Sequence, residues 1–84
     1  MSAERSSMLE SVCDAIQEVA PNLSRSDLQR SSSLHDDLGL DSIDLVNVAG
    51  ALAEKTGIAI PDAEYGRLTR VGDLVDFLET RGSN

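Results

Sequence analysis

Leu38-Gly39-Leu40-Asp41-Ser42-Ile43-Asp44 is the stretch on which the reading of this chain turns. Asp41 is placed to cap a helix that starts at Ser42, and Asp44 supplies the acidic half of a capping box, so backbone N–H groups converge around Ser42. Beyond it Leu45, Val46, Ala49, Leu52 and Ala53 recur at helical spacing and form the inward stripe of a helix predicted over 42–56, closed by Gly57 as a natural C-cap residue. Ser42 is left as one hydroxyl between two carboxylates. Its neighbours are not the glycines of a Gly-x-Ser-x-Gly nucleophile elbow, and the only histidine, His35, lies in the preceding loop. The serine therefore reads as an attachment point offered to something outside the chain, at a helix start that tolerates a phosphate.

Upstream, Leu9, Val12, Cys13, Ile16, Val19 and Ala20 repeat at helical spacing, with Ser7 and Glu10 as a capping-box pair and Pro21-Asn22 as the stop. This predicts a first helix over about 7–19. The connection from Asn22 to Asp41 is long for a compact domain. Leu23, Leu28, Leu34, Leu38 and Leu40 punctuate it, so it is expected to lie pinned over the core, with a helical turn near 26–29 and Ser31-Ser32-Ser33 as plain solvated loop. Downstream, Ile58-Ala59-Ile60 is too short for a sheet and reads as an extended connector with inward isoleucines. Pro61 starts a short helical turn, Asp62 to Tyr65, closed by Gly66, that is too short to persist alone and is expected to be mobile. Val71, Leu74, Val75 and Leu78 then predict a last helix over 71–80, ahead of a frayed Arg81-Gly82-Ser83-Asn84 tail. The fold class is all-α: a small four-helix bundle, three helices substantial and one short (62–66), with a long loop between the first two, as a single domain over 1–84.

Eighty-four residues make one small domain with no room for a deep enclosed active site. Fifteen acidic against seven basic residues give a net charge of −8, which repels nucleic acid and anionic membranes and favours basic partners. Asp36, Asp37, Asp41 and Asp44 concentrate that charge around Ser42, which favours docking over mere solubility. The single Cys13 excludes an internal disulfide and any cysteine-based metal cluster. On the apolar stripe of the first helix it reads as a packed thiol. No leader or membrane-length apolar run is present, so a cytoplasmic monomer is expected. His35, as the side-chain type that can change charge near physiological pH, is a candidate modulator of docking, against the plainer reading of an ordinary loop histidine. Tyr65 is equally suited to line a cleft or to fill a gap in an aromatic-poor core. One histidine and scattered carboxylates do not assemble base, nucleophile and oxyanion donors, so an enzyme is not expected.

Asp36-Asp37-Leu38-Gly39-Leu40-Asp41-Ser42-Ile43-Asp44, in register with Gly57-Ile58-Ala59-Ile60-Pro61-Asp62, resembles the acyl carrier protein family from end to end. The resemblance implies an acyl carrier whose Ser42 bears a 4′-phosphopantetheine arm, placed there from coenzyme A by a separate phosphopantetheinyl transferase with Mg²⁺. The arm's thiol then holds acyl groups as thioesters near a docked enzyme. It also implies that Asp41 serves transferase and metal recognition, and that Ile43 and Val46 are small apolar contacts for partners. An acyl-loading enzyme, a ketosynthase or an acyltransferase are the other partners implied, with Asp36, Asp37, Asp44 and Asn47 around the docking face. The chain itself binds no metal in this reading.

The second helix departs from the fatty-acid type. Its residues Leu45-Val46-Asn47-Val48-Ala49-Gly50-Ala51-Leu52-Ala53-Glu54-Lys55 carry few acids, and Asn47 stands where the fatty-acid type usually has a glutamate. This points to polyketide or other secondary metabolism, with a fatty-acid carrier or a discrete aminoacyl or peptidyl carrier as alternatives, and an unmodified interaction protein as a further one. The small run Val48-Ala49-Gly50-Ala51 is read as exposing a smoother apolar face for a hydrophobic partner; alternatively, Gly50 and its alanine neighbours let this helix approach another closely, leaving little room for a long acyl chain between them.

Overall fold

The computed structural model describes residues 7–82. The predicted capping by the Ser7 side chain, the polar start Met1–Arg5 and the last two residues, Ser83 and Asn84, lie outside what it describes. Among the described residues the regular elements are helical: α1 (Ser7–Val19), α2 (Ser42–Thr56), α3 (Val71–Gly82), a 3₁₀ turn at Arg25–Asp27 and a 3₁₀ helix at Asp62–Arg67. The all-α bundle expected from periodicity is therefore observed, with the 3₁₀ helix as its short fourth member.

Burial follows the apolar spacing. Val12, Cys13, Ala15 and Ile16 turn inward from α1, Val48, Ala49 and Leu52 from α2, and Val71, Leu74, Val75 and Leu78 from α3. Helix α1 packs against both other α-helices, so its stripe forms the centre of the core. The stripe of α2 differs from expectation by a small rotation. Val48 is fully buried whereas Val46 is half exposed, and Leu45 and Ala53 are only half-buried. Local spacing allowed either set, and docking on α1 selects Val48. Helix α2 ends as expected at Gly57, in the left-handed region with φ 75°, its N–H donating to the Ala53 carbonyl.

The loop between α1 and α2 is pinned as its leucines suggested: Leu28, Leu34, Leu38 and Leu40 are buried and Leu23 half-buried. Its helical turn comes one residue earlier than predicted, at Arg25–Asp27. The Asp27 carboxylate accepts both the Ser24 N–H and the Ser24 hydroxyl, each at 3.0 Å, and so sets the start of the turn. Arg25 ties that turn to α1 through Asp14 at 2.6 Å and Glu10 at 3.4 Å.

Ser31-Ser32-Ser33 is not plain solvated loop. The Val71 N–H donates to the Ser32 carbonyl, Gly72 to Arg30 and Leu34 to Thr69, at 3.1, 2.9 and 2.9 Å, and Ser33 forms an isolated antiparallel bridge with Arg70. These bonds strap the loop to the start of α3. The close approach favours Gly72, because a Cβ there would lie 3.1 Å from the Arg30 carbonyl oxygen and the strap would have to give by a few tenths of an ångström. Periodicity did not show this strap because backbone pairing leaves no side-chain pattern over so few residues.

Ile60 is buried, Ile58 half-buried and Ala59 exposed, as the alternation predicted. The short helix does not stop at Gly66 but runs through it to Arg67, with Leu68 as C-cap. Helix α3 likewise continues past Thr80 to Gly82, where the Arg81 guanidinium lies 4.6 Å from the centre of the Phe77 ring one turn earlier. Gly50 is exposed, and a Cβ built on it meets nothing within 4 Å. Of the two readings of this run, the open face is the one observed at Gly50, and the alternative of a close helix approach there is corrected.

Two substitutions separate these roles. Leu52→Ala, which empties a fully buried position, should cost about 2–5 kcal/mol. Gly50→Ala, in open space within a helix, should stabilise by about 0.5–1 kcal/mol. Urea denaturation followed by circular dichroism measures both, and a destabilising Gly50→Ala would mean that the open face packs against something.

Candidate functional site

Residues at the start of α2 hold each other in place. Asp41 Oδ1 accepts the Asp44 N–H at 2.9 Å, and Asp44 Oδ2 accepts the Asp41 N–H at 3.2 Å, the reciprocal capping box that the sequence predicted. The bonds fix the direction of the helix entry and engage one oxygen of each carboxylate. The N–H groups of Ser42 and Ile43 fall in the first helical turn, where no earlier carbonyl is available to them. Ser42 is exposed, and its Oγ forms no hydrogen bond with the other described residues. A free hydroxyl thus sits where the helix dipole and unpaired N–H groups favour an added anion.

Beside Ser42 opens a cleft of about 410 Å³ between the loop, the start of α2 and the 3₁₀ helix. Leu34, Leu40, Leu45 and Leu68 supply apolar walls, while Ser33, His35, Asp36, Asp41, Tyr65 and Thr69 supply polar groups. Tyr65 takes both roles open to it: it lines the cleft and, half-buried, packs against the core. The size lies in the range of small-molecule sites, and the mixture of apolar wall and polar rim suits a slender chain that carries both methyl and amide groups. The sequence reading missed Leu45, Leu68 and Thr69 as cleft residues. Loop leucines were legible as anchors, but which of them face a cavity depends on where the 3₁₀ helix docks.

His35 is exposed, yet its ring is anchored, with Nδ1 3.2 Å from the Leu40 carbonyl oxygen. Asp36 and Asp37 are both exposed, but they divide their work. Asp36 lines the cleft, whereas the Asp37 carboxylate accepts the Ser33 N–H at 2.7 Å and so holds the loop turn. Further along α2, Ile43 and Val46 are the large apolar residues left open to solvent, 69% and 50% exposed, and Asn47 is exposed next to them. The predicted apolar contacts are thus brought together on one accessible face beside the serine.

Cys13 is remote from this site and buried, with burial pushing its thiol up and a weak contact to the Leu28 carbonyl at 3.9 Å. It packs, as expected of a small apolar residue. Among the described residues no group of three or more His, Cys, Asp or Glu is placed to hold a metal ion, and no helix is long and apolar enough to cross a membrane.

Residues 10–78 match the family model described as phosphopantetheine attachment site. The chain is 40% identical to the acyl carrier protein of Acidothermus cellulolyticus over 78 residues, which cover 93% of this chain and 92% of that protein. It is 39% identical to the acyl carrier protein of Wolinella succinogenes over 82% of this chain and 95% of that protein. Against the mitochondrial acyl carrier protein of Saccharomyces cerevisiae it is 36% identical over 80% of this chain and 54% of that protein. The chain belongs to the acyl carrier protein family, and its cofactor is a covalently attached 4′-phosphopantetheine. Membership implies interaction with a phosphopantetheinyl transferase and with acyl-handling enzymes.

Removing the cap tests how the serine is held. Asp41→Ala should lower stability by about 1 kcal/mol, while Asp41→Ser, which keeps a capping oxygen, should stay close to the parent. Thermal denaturation of the two variants checks this, and equal losses would show that the Asp41 carboxylate does not cap α2.

Proposed function

We propose that Ser42 is the residue that bears the arm, and that the protein is a non-catalytic, cytoplasmic, monomeric acyl carrier serving polyketide or other secondary metabolism. The observation that carries the attachment site is the exposed, unbonded Ser42 hydroxyl at the capped start of α2. Asp41 uses Oδ1 in the cap and keeps Oδ2 for the transferase and its Mg²⁺. When bound, the arm supplies a thiol on which an acyl group is carried as a thioester. The chain's own share is to hold Ser42 outward, to shelter the base of the arm against Leu34, Leu40 and Leu45, and to present Ile43, Val46 and Asn47 to partners.

The specialised pathway is supported by that face of α2. A docking surface made of two exposed apolar side chains and a neutral amide favours a partner that contributes apolar area rather than a row of basic residues. The acidic groups Asp36, Asp37, Asp41 and Asp44 stay on the loop side of the serine and at the helix start, where they meet the transferase and other basic partners.

Incubation with coenzyme A, Mg²⁺ and a broad-specificity transferase should add one phosphopantetheinyl group to the intact mass. Ser42→Ala should abolish the gain, and an unmodified parent protein would instead indicate a docking protein without an arm. The pathway is tested by kinetic competition: the loaded protein should serve a fatty-acid ketosynthase with lower kcat/KM than that enzyme's own carrier. Equal efficiency would return the protein to fatty-acid synthesis. Loading with an amino acid by an adenylating enzyme would mark an aminoacyl carrier.

A further inference from the structure

The ionisable groups lining the cleft beside Ser42 are His35, Asp36, Asp41 and Tyr65. No lysine or arginine lines it. His35, the chain's single histidine, is thus the only lining side chain able to take a positive charge. The neighbouring elements do not supply another cation to this rim. Arg70, whose backbone bridges to Ser33, donates to the Ser31 carbonyl at 3.0 Å, and Arg67 of the 3₁₀ helix is 81% exposed and lies 3.9 Å from Glu64. The remaining cations of these elements are engaged elsewhere: Arg25 with Glu10 and Asp14, Arg30 with Asp76, Lys55 with Glu18, and Arg81 over the Phe77 ring. The acids include Asp37 on the loop, Asp44 in the capping box, Asp62 on the 3₁₀ helix, and Asp73 of α3, which accepts the N–H groups of Thr69 and Arg70.

The ring is held for a defined role. A carbonyl oxygen only accepts, so the contact between Nδ1 and the Leu40 carbonyl places a proton on Nδ1. The exchanging proton of the imidazole is therefore the one on Nε2. Leu40 directly precedes the capping residue Asp41, which couples the ring to the backbone that positions Ser42.

We propose that His35 is the counter-ion of the arm's phosphodiester. The proposal rests on Ser42 as the attachment residue. An anion on Ser42 adds one negative charge to a rim that already holds Asp36 and Asp41, and like charges gathered in one cleft favour protonation of the base that shares it. His35 answers by binding one proton from solvent at Nε2, and the resulting imidazolium offsets the added charge. A basic partner that brings its own cation to the rim displaces this proton, so the same side chain serves both the free and the docked carrier.

The test uses ³¹P and imidazole resonances of protein whose arm has been located on Ser42 by peptide mass. A phosphodiester keeps one charge across neutral pH, and histidine is the side chain that ordinarily changes charge between about pH 5 and 8. The ³¹P resonance of the arm-bearing parent should therefore shift sigmoidally with pH in that window, and His35→Gln should lose the shift. As a second measurement on the parent alone, the His35 ring resonances should be displaced toward the imidazolium form near pH 6.5 when the arm is present, relative to the arm-free protein. A flat ³¹P profile, an equal shift in His35→Gln, or identical ring resonances with and without the arm would overturn the proposal. If the mass shows no arm on Ser42, the attachment reading fails first and the counter-ion fails with it, which separates the two outcomes.

Discussion

A chain of 84 residues that gives its stretch from Ala20 to Asp41 to a connection between two helices must hold that connection without a sheet. The backbone bonds from Leu34, Val71 and Gly72 to Thr69, Ser32 and Arg30 provide the hold. They join the loop to the start of α3, and with the loop fixed, Leu34, Leu38 and Leu40 enter the core beneath it. The 3₁₀ helix then faces the loop across a cleft. Without the strap the loop would have no fixed wall to offer, and Ser42 would stand at the edge of open solvent instead of beside a cavity.

On this frame the start of α2 concentrates two opposing influences. The helix dipole and the free N–H groups of the first turn favour an anion at Ser42, while Asp36, Asp41 and Asp44 oppose one. The capping box moderates the conflict by engaging an oxygen of Asp41 and an oxygen of Asp44 in hydrogen bonds from backbone N–H groups. His35, anchored on the Leu40 carbonyl, is the one cleft-lining side chain able to take a positive charge. The acidic rim and the exposed Ile43 and Val46 then give two surfaces of different chemistry on either side of the serine.

Much of the fold was legible because helices write their burial into spacing. Val71, Leu74, Val75 and Leu78 were named as one face and all four are fully buried, and the bounds of α1 and α2 match those expected. The capping roles of Asp41 and Asp44 were legible too, since a capping box is a local pattern. The inward face of α2 was only partly so: Val46 and Val48 are equally apolar, and the choice between them is made by docking on α1. Gly50 allowed either an open face or a close helix contact, and its face of the helix meets no neighbour.

The sequence by itself determined the helices, the cap that opens α2 and the placement of Ser42 at its start, because each depends on residues within a few positions of one another. Tertiary structure alone decided the strap between loop and α3, the cleft between loop and 3₁₀ helix, and the gathering of His35, Asp36, Tyr65 and Thr69 around the serine. Those features join residues up to some tens of positions apart through backbone bonds and docking, and neither leaves a periodic trace in the chain.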